Sequence, residues 1–252
     1  TAAIVALETA DFVALSTNQI VALGTRQIAA IETRDLAALS STQVTAMTAD
    51  QINALTPTQL TTLTISGGLP LTSFTTAALA ALPTATLAQL STDQIQSLTT
   101  QQVMALTTGQ IVALSTQAAS ALTTNQIGAL STLQVAAIET RDIAVLTSDQ
   151  VGALGTVQLA ALKTAQVAAL RSDNIAGLGT SGIAALGTAA TAAISTAGIA
   201  ALSTDQIVAL GSAQIAALKT SQVVTLSSDQ FAAIETSDIG ALSTAAIVAL
   251  ST

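Results

Sequence analysis

A period of eight residues runs through almost all of this 252-residue chain, and no other feature limits its fold as much. Octads can be written end to end from residue 1, beginning TAAIVALE, TADFVALS, TNQIVALG and TRQIAAIE, as far as residue 64. Residues 65–75, ISGGLPLTSFT, break the register, which resumes at residue 76 and holds to residue 251. The chain therefore reads as eight repeats over 1–64, an interruption over 65–75 that is too short for a second domain, and twenty-two repeats over 76–252. Thr252 opens a further octad and neither end carries an atypical repeat, which predicts one segment of a longer array, since solenoid ends normally carry polar caps.

Aligning the thirty octads separates the inside from the outside. Position 7 is Leu, Ile or Met throughout, and position 4 is Ile, Val, Leu or Phe in all but two, where Ala119 and Thr191 stand. These two columns predict the core. Position 6 is Ala in twenty-four octads, as at Ala14, Ala22 and Ala30, which predicts close approach of a neighbouring backbone. Position 1 is Thr or Ser in all but two, position 3 is Gln, Asp or Asn in twenty-two, and positions 2, 5 and 8 vary as a solvent face does.

An uninterrupted α-helix does not fit this pattern. Eight residues at about 100° each overshoot two turns by roughly 80°, so the apolar pairs would wind around the rod instead of forming a stripe. Breaking the helix once per octad removes the difficulty. Thr at position 1 then serves as N-cap, Gln or Asp lies in the first turn, and positions 4 and 7 share a face. The prolines agree, with Pro57 at position 1 and Pro83 at position 8, and so do the corner glycines Gly24, Gly155, Gly179, Gly187 and Gly211 at position 8. The expected fold is an all-α solenoid of very short helices, one per octad. A parallel β-solenoid is the alternative, because stacked Thr and Gln columns over aliphatic cores also suit that fold. The Ala-rich positions 5 and 6 and the scarcity of Asn and Gly weigh against it. One Ile and one Leu bury too little apolar surface to offset the ordering of eight residues, so octads are stable only when stacked, and the stack grows in one dimension.

Composition removes whole classes of function. The chain has no Cys, His, Trp or Tyr, which excludes disulfides, thiolate chemistry and imidazole ligands and predicts no enzymatic activity and no cofactor. Fourteen acidic against six basic residues give a net charge of -8, which repels a phosphate backbone and argues against nucleic acid as a partner. Mean hydropathy is +0.67, yet Thr, Ser or Gln interrupts every apolar run, so no transmembrane segment is expected. No basic stretch followed by an apolar run marks a signal peptide.

The candidate sites are few. All four Glu occur in the string E-T-x-D, as Glu8/Asp11, Glu32/Asp35, Glu139/Asp142 and Glu235/Asp238. Such pairs are candidate calcium ligands through their oxygens. The competing reading is that acids at a helix start meet the helix dipole, and Arg34 and Arg141 inside two of the strings oppose a cation. Long tracts carry no charge, between Asp50 and Asp93, Asp93 and Glu139, and Asp173 and Asp205, which leaves a neutral face for lateral self-association. The regular Thr column also matches what an ice-binding surface needs, although capping explains it without a ligand.

The octad L-S-T-x-Q-I-x-A, seen as LSTNQIVA at 15–22 and LSTDQIVA at 202–209, resembles the octapeptide repeats of very large secreted bacterial surface and adhesin-like proteins. The resemblance implies a structural repeat protein at the cell surface or outside it, forming a fibre, stalk or matrix component. The uncapped ends and uncharged tracts predict self-association end to end or laterally, and the lack of catalytic side chains predicts no small-molecule substrate. The alternative function is a repetitive binding surface for ice, calcium or polysaccharide.

Overall fold

The computed structural model describes residues 2–65 and 71–250. They fold into thirty α-helices of four to nine residues and one 3-10 turn, Leu71–Ser73, with no strand among the described residues. The fold is an all-α solenoid with one short helix per octad, and the β-solenoid alternative falls.

The octad 17–24 shows the local logic. Ser16 is extended (φ -71°, ψ 160°), Thr17–Ala22 is helical, and Leu23 is extended again (φ -68°, ψ 133°). The cap is therefore position 8 of the preceding octad, one residue earlier than the sequence suggests, and Thr at position 1 is the first helical residue. The reason is a capping box: Ser16 Oγ accepts from the Gln19 N–H at 3.3 Å while the Ser16 N–H donates to Gln19 Oε1 at 2.8 Å. Pro57 occupies the first helical position, where a missing N–H costs nothing. Pro83 is itself an N-cap, and the octad it caps, 84–91, carries Thr86 at position 3 instead of a Gln that would need a cap N–H to bind. Gly24, Gly155, Gly187 and Gly211 are N-caps in the extended region. Only Gly179 takes a positive φ, +66°, the conformation in which a side chain would be strained.

Burial follows the predicted columns. Positions 4 and 7 are buried along most of the chain, Ala119 and Thr191 included, and position 5 is largely exposed, with Leu114 at 2% against Val112 at 40%. Position 6, expected to be the point of closest approach, is half-buried or exposed in most octads. The third buried column is position 3. Close approaches occur beside both positions 5 and 6: a Cβ on Gly128, at position 5, would lie 3.2 Å from the carbonyl oxygen of Ala153, and one on Gly177, at position 6, would lie 3.2 Å from Ser148 Cβ and 3.4 Å from the Ser148 carbonyl oxygen.

Inter-helix contacts group the chain into two compact units, Thr1–Ala121 and Leu122–Thr252. Within each, a helix packs on the helix three octads further on, as Thr33–Ala37 does on Pro57–Ile65 and Ser172–Ala176 on Thr196–Ala200.

Around the interruption the helix Pro57–Ile65 runs through the point where a corner is due. The Thr61, Thr62 and Thr64 hydroxyls donate back to the carbonyls of Pro57, Thr58 and Leu60. Residues 71–75 then carry the octad pattern. Leu71 and Phe74 are buried three residues apart, as positions 4 and 7 are, and Thr75 caps the helix Thr76–Ala80. Gly67, Gly68 and Pro70 of the interruption lie outside the described residues.

Candidate functional site

The group that recurs at every level of the stack is the position-3 side chain. Gln stands there in seventeen octads and is buried in fourteen of them, an unusual place for an uncharged amide unless all its polar atoms are matched. Gln43 shows how they are matched. Its Oε1 accepts the N-cap N–H of Ser40 at 2.7 Å, and its Nε2 donates to the carbonyls of Phe12 at 2.9 Å and Leu15 at 2.8 Å. The acceptors are positions 4 and 7 of the octad four repeats back. Gln51 does the same to Ile20 and Leu23, Gln110 to Leu79 and Leu82, Gln166 to Val135 and Ile138, and Gln214 to Ile183 and Leu186. Gln102 reaches the carbonyls of Leu71 and Phe74, which places 71–75 in the array.

Each of these Gln residues is thus a clasp that closes its own helix and ties it to the previous turn of the solenoid. Packing is at three octads and clasping at four, so a turn holds between three and four octads. The amide is the one side chain with the required inventory, an acceptor oxygen and two N–H donors on one carbon. Glu lacks the donors. Asn is a methylene shorter, and at Asn174 the amide reaches the Arg171 N–H and only the Leu146 carbonyl, both at 3.1 Å. In the first turn Gln19 and Gln27 cap their helices but are not buried beneath another turn.

The sequence matches what this geometry requires. A model of the ALTTAQ repeat matches residues 4–30, 28–65, 71–108, 100–132, 135–172, 175–212, 191–220 and 231–252. The chain belongs to the ALTTAQ repeat family. No curated protein matches it. The six letters of the ALTTAQ repeat read as the joint between two octads, clearest at ALTTGQ, 105–110. There Leu106 is the core residue at position 7, Thr107 the N-cap, Thr108 the first helical residue and Gln110 the clasp. The chain is a repetitive structural protein whose family signature is its coil-to-coil joint.

The four E-T-x-D strings replace this clasp with an acid. In each, Glu is the N-cap and Asp the third helical residue. Asp11, in the exposed first turn, accepts the Glu8 N–H at 2.9 Å. Asp35 and Asp238 are buried, and having no donor they accept one instead, from the Thr9 hydroxyl at 2.6 Å and from the Ser212 hydroxyl. Arg34 lies 3.2 Å from Glu32 and 3.4 Å from Asp35, and Arg141 lies 2.5 Å from Glu139 and 3.7 Å from Asp142. Each string brings its two carboxylates to one helix start, and two of them carry a guanidinium between the acids. Among the described residues no group of three or more His, Cys, Asp or Glu is placed to hold a metal ion, and no helix is long and apolar enough to cross a membrane.

Sequence reading missed the clasp although two signals were present. Ser/Thr at position 8 with Gln at position 3 is a capping-box spacing. Position 3 also never carries Glu, which would serve a capping box equally well.

Proposed function

We propose that this chain is a structural module of an extended, extracellular bacterial fibre, stalk or surface matrix, and that it has no enzymatic activity, substrate or nucleic-acid partner. The observation that supports this reading most is the use made of the buried polar side chains: of twenty-one among the described residues, fourteen are position-3 glutamines, the column whose amides join one turn to the next. Such a design makes repeat number the variable that sets length. Export and surface location rest on the resemblance of the octad to repeats of large surface proteins. Self-association is part of the proposal. The uncharged tracts and the exposed aliphatic side chains at position 5, among them Val5, Val13, Val21 and Val208, offer a face with little charge to desolvate.

Sedimentation and electron microscopy of the 252-residue chain across a salt series test this directly. Elongated particles that associate further as salt screens the net charge of -8 support it. A monomeric, compact particle at every concentration and salt level contradicts it. Thermal hysteresis, calcium-dependent melting or retention on a polysaccharide column would instead support a repetitive binding surface.

A further inference from the structure

Clasps are not evenly distributed in the unit Leu122–Thr252. Gln150, Gln158 and Gln166 tie their octads to the carbonyls of Leu122, Leu130 and Ile138. Gln206, Gln214, Gln222 and Gln230 do the same to Ala176, Leu186, Ile194 and Leu202. Between these two sets, position 3 is Gly182, Ala190 and Gly198 in three consecutive octads, preceded by the single short contact of Asn174. Nearly a full turn, residues 180–203, is therefore joined to octads 148–171 without one side-chain amide. It is held there by Ile183, Thr191 and Ile199, all buried, and by close backbone packing of Thr156–Ala160 on Gly179–Ala185. The substitution that removes the clasp also installs two glycines, which gain the most freedom on opening.

We infer that this joint is a built-in release seam, the place where the unit parts first while the clasped turns on either side stay intact. The two sides differ in three consecutive clasps, and each clasp lost removes two inter-turn hydrogen bonds and the second half of a capping box. Plain fraying from one end predicts protection that rises smoothly along the array. A seam predicts a step instead, with the octads after residue 180 opening as one cooperative unit.

Native-state hydrogen exchange on the whole chain, followed by helix-resolved mass spectrometry at low denaturant, separates the two. The expected result is a step of at least about tenfold in protection between 159–171 and 183–202. Ala190→Gln places a Gln three residues after Gly187, the arrangement already present at Gly211 and Gln214, and should reduce the step. Gln214→Ala together with Gln222→Ala should create a second step near residue 212, since Gln206 still clasps octad 204–211. A smooth gradient in the native chain, or a step that the Gln214→Ala, Gln222→Ala double variant fails to add, overturns the seam. Because that second arm removes clasps, the test stands even if Ala190→Gln fails to fold.

Discussion

Octads 180–203 and octads 204–227 both fold as helices of four to seven residues over aliphatic columns, interrupted only at Thr191, and what sets them apart between turns is position 3. In the later set Gln206, Gln214 and Gln222 hold the turn below through its carbonyls. In the earlier set that space is filled by aliphatic neighbours: a Cβ on Gly198 would lie 2.7 Å from Ile194 Cγ2, and one on Gly182 would lie 3.0 Å from Leu159 Cδ1. The difference teaches that the aliphatic columns make octads stack, whereas the amide column makes each turn grip the one below at a defined offset. A hydrogen bond to a carbonyl 28 or 31 residues back is satisfied in one register only, while Ile on Ile tolerates several.

The largest expected effect is one that the two regions should share. Leu186→Asp and Leu210→Asp each bury an unpaired carboxylate and should cost about 4–5 kcal/mol or unfold the surrounding octads. Val208→Asp, at an exposed position 5, should cost under about 1 kcal/mol in the same urea titration. Comparable losses at Leu210 and Val208 would mean that the inward face is assigned wrongly.

The next effect should divide the regions. Gln214→Ala leaves the carbonyls of Ile183 and Leu186 and the Gly211 N–H without the amide, for a loss of about 2–3 kcal/mol. Gln214→Glu keeps the acceptor, loses both donors and buries a charge, so it should be no better than Ala. A Gln214→Glu chain as stable as the native one would refute the donor half of the clasp. Ala190→Gly, in the earlier set, removes no inter-turn bond and should cost only about 0.5–1 kcal/mol, the helix penalty of glycine. The smallest effect concerns the caps. Gly187→Ser and Gly211→Ser each add a side-chain acceptor at an N-cap and should raise stability by a few tenths of a kcal/mol, equally in both regions.

Much of this architecture was legible in the sequence. The spacing of Ile20 and Leu23, repeated along the octads, shows a helical pair on one face, and Pro57 and Pro83 mark where one helix must end and the next begin. The cap was displaced by one residue because Thr at position 1 and Ser or Thr at position 8 are both good capping residues, and only the reciprocal bonds to Gln distinguish them. The clasp was harder to see. Gln43 binds the carbonyls of Phe12 and Leu15, and a backbone carbonyl exists at every residue, so the acceptor leaves no mark on the sequence. The donor does leave one, in the absence of Glu from position 3. For the same reason the sequence shows Asp35 and Asp238 only as candidate calcium ligands at a helix start, and not that both are buried against hydroxyls from the turn below.

Whether the amide column joins the turns can be read from the glutamines themselves. Side-chain NH2 resonances of Gln43, Gln51, Gln102 and Gln110 should exchange slowly with solvent and show shifts typical of hydrogen-bonded amides. Gln101 and Gln117, exposed at position 2, should exchange at free-amide rates, with Gln19 and Gln27 close to them because no turn covers their donors. Side-chain amides that all exchange alike, buried and exposed together, would contradict the clasp.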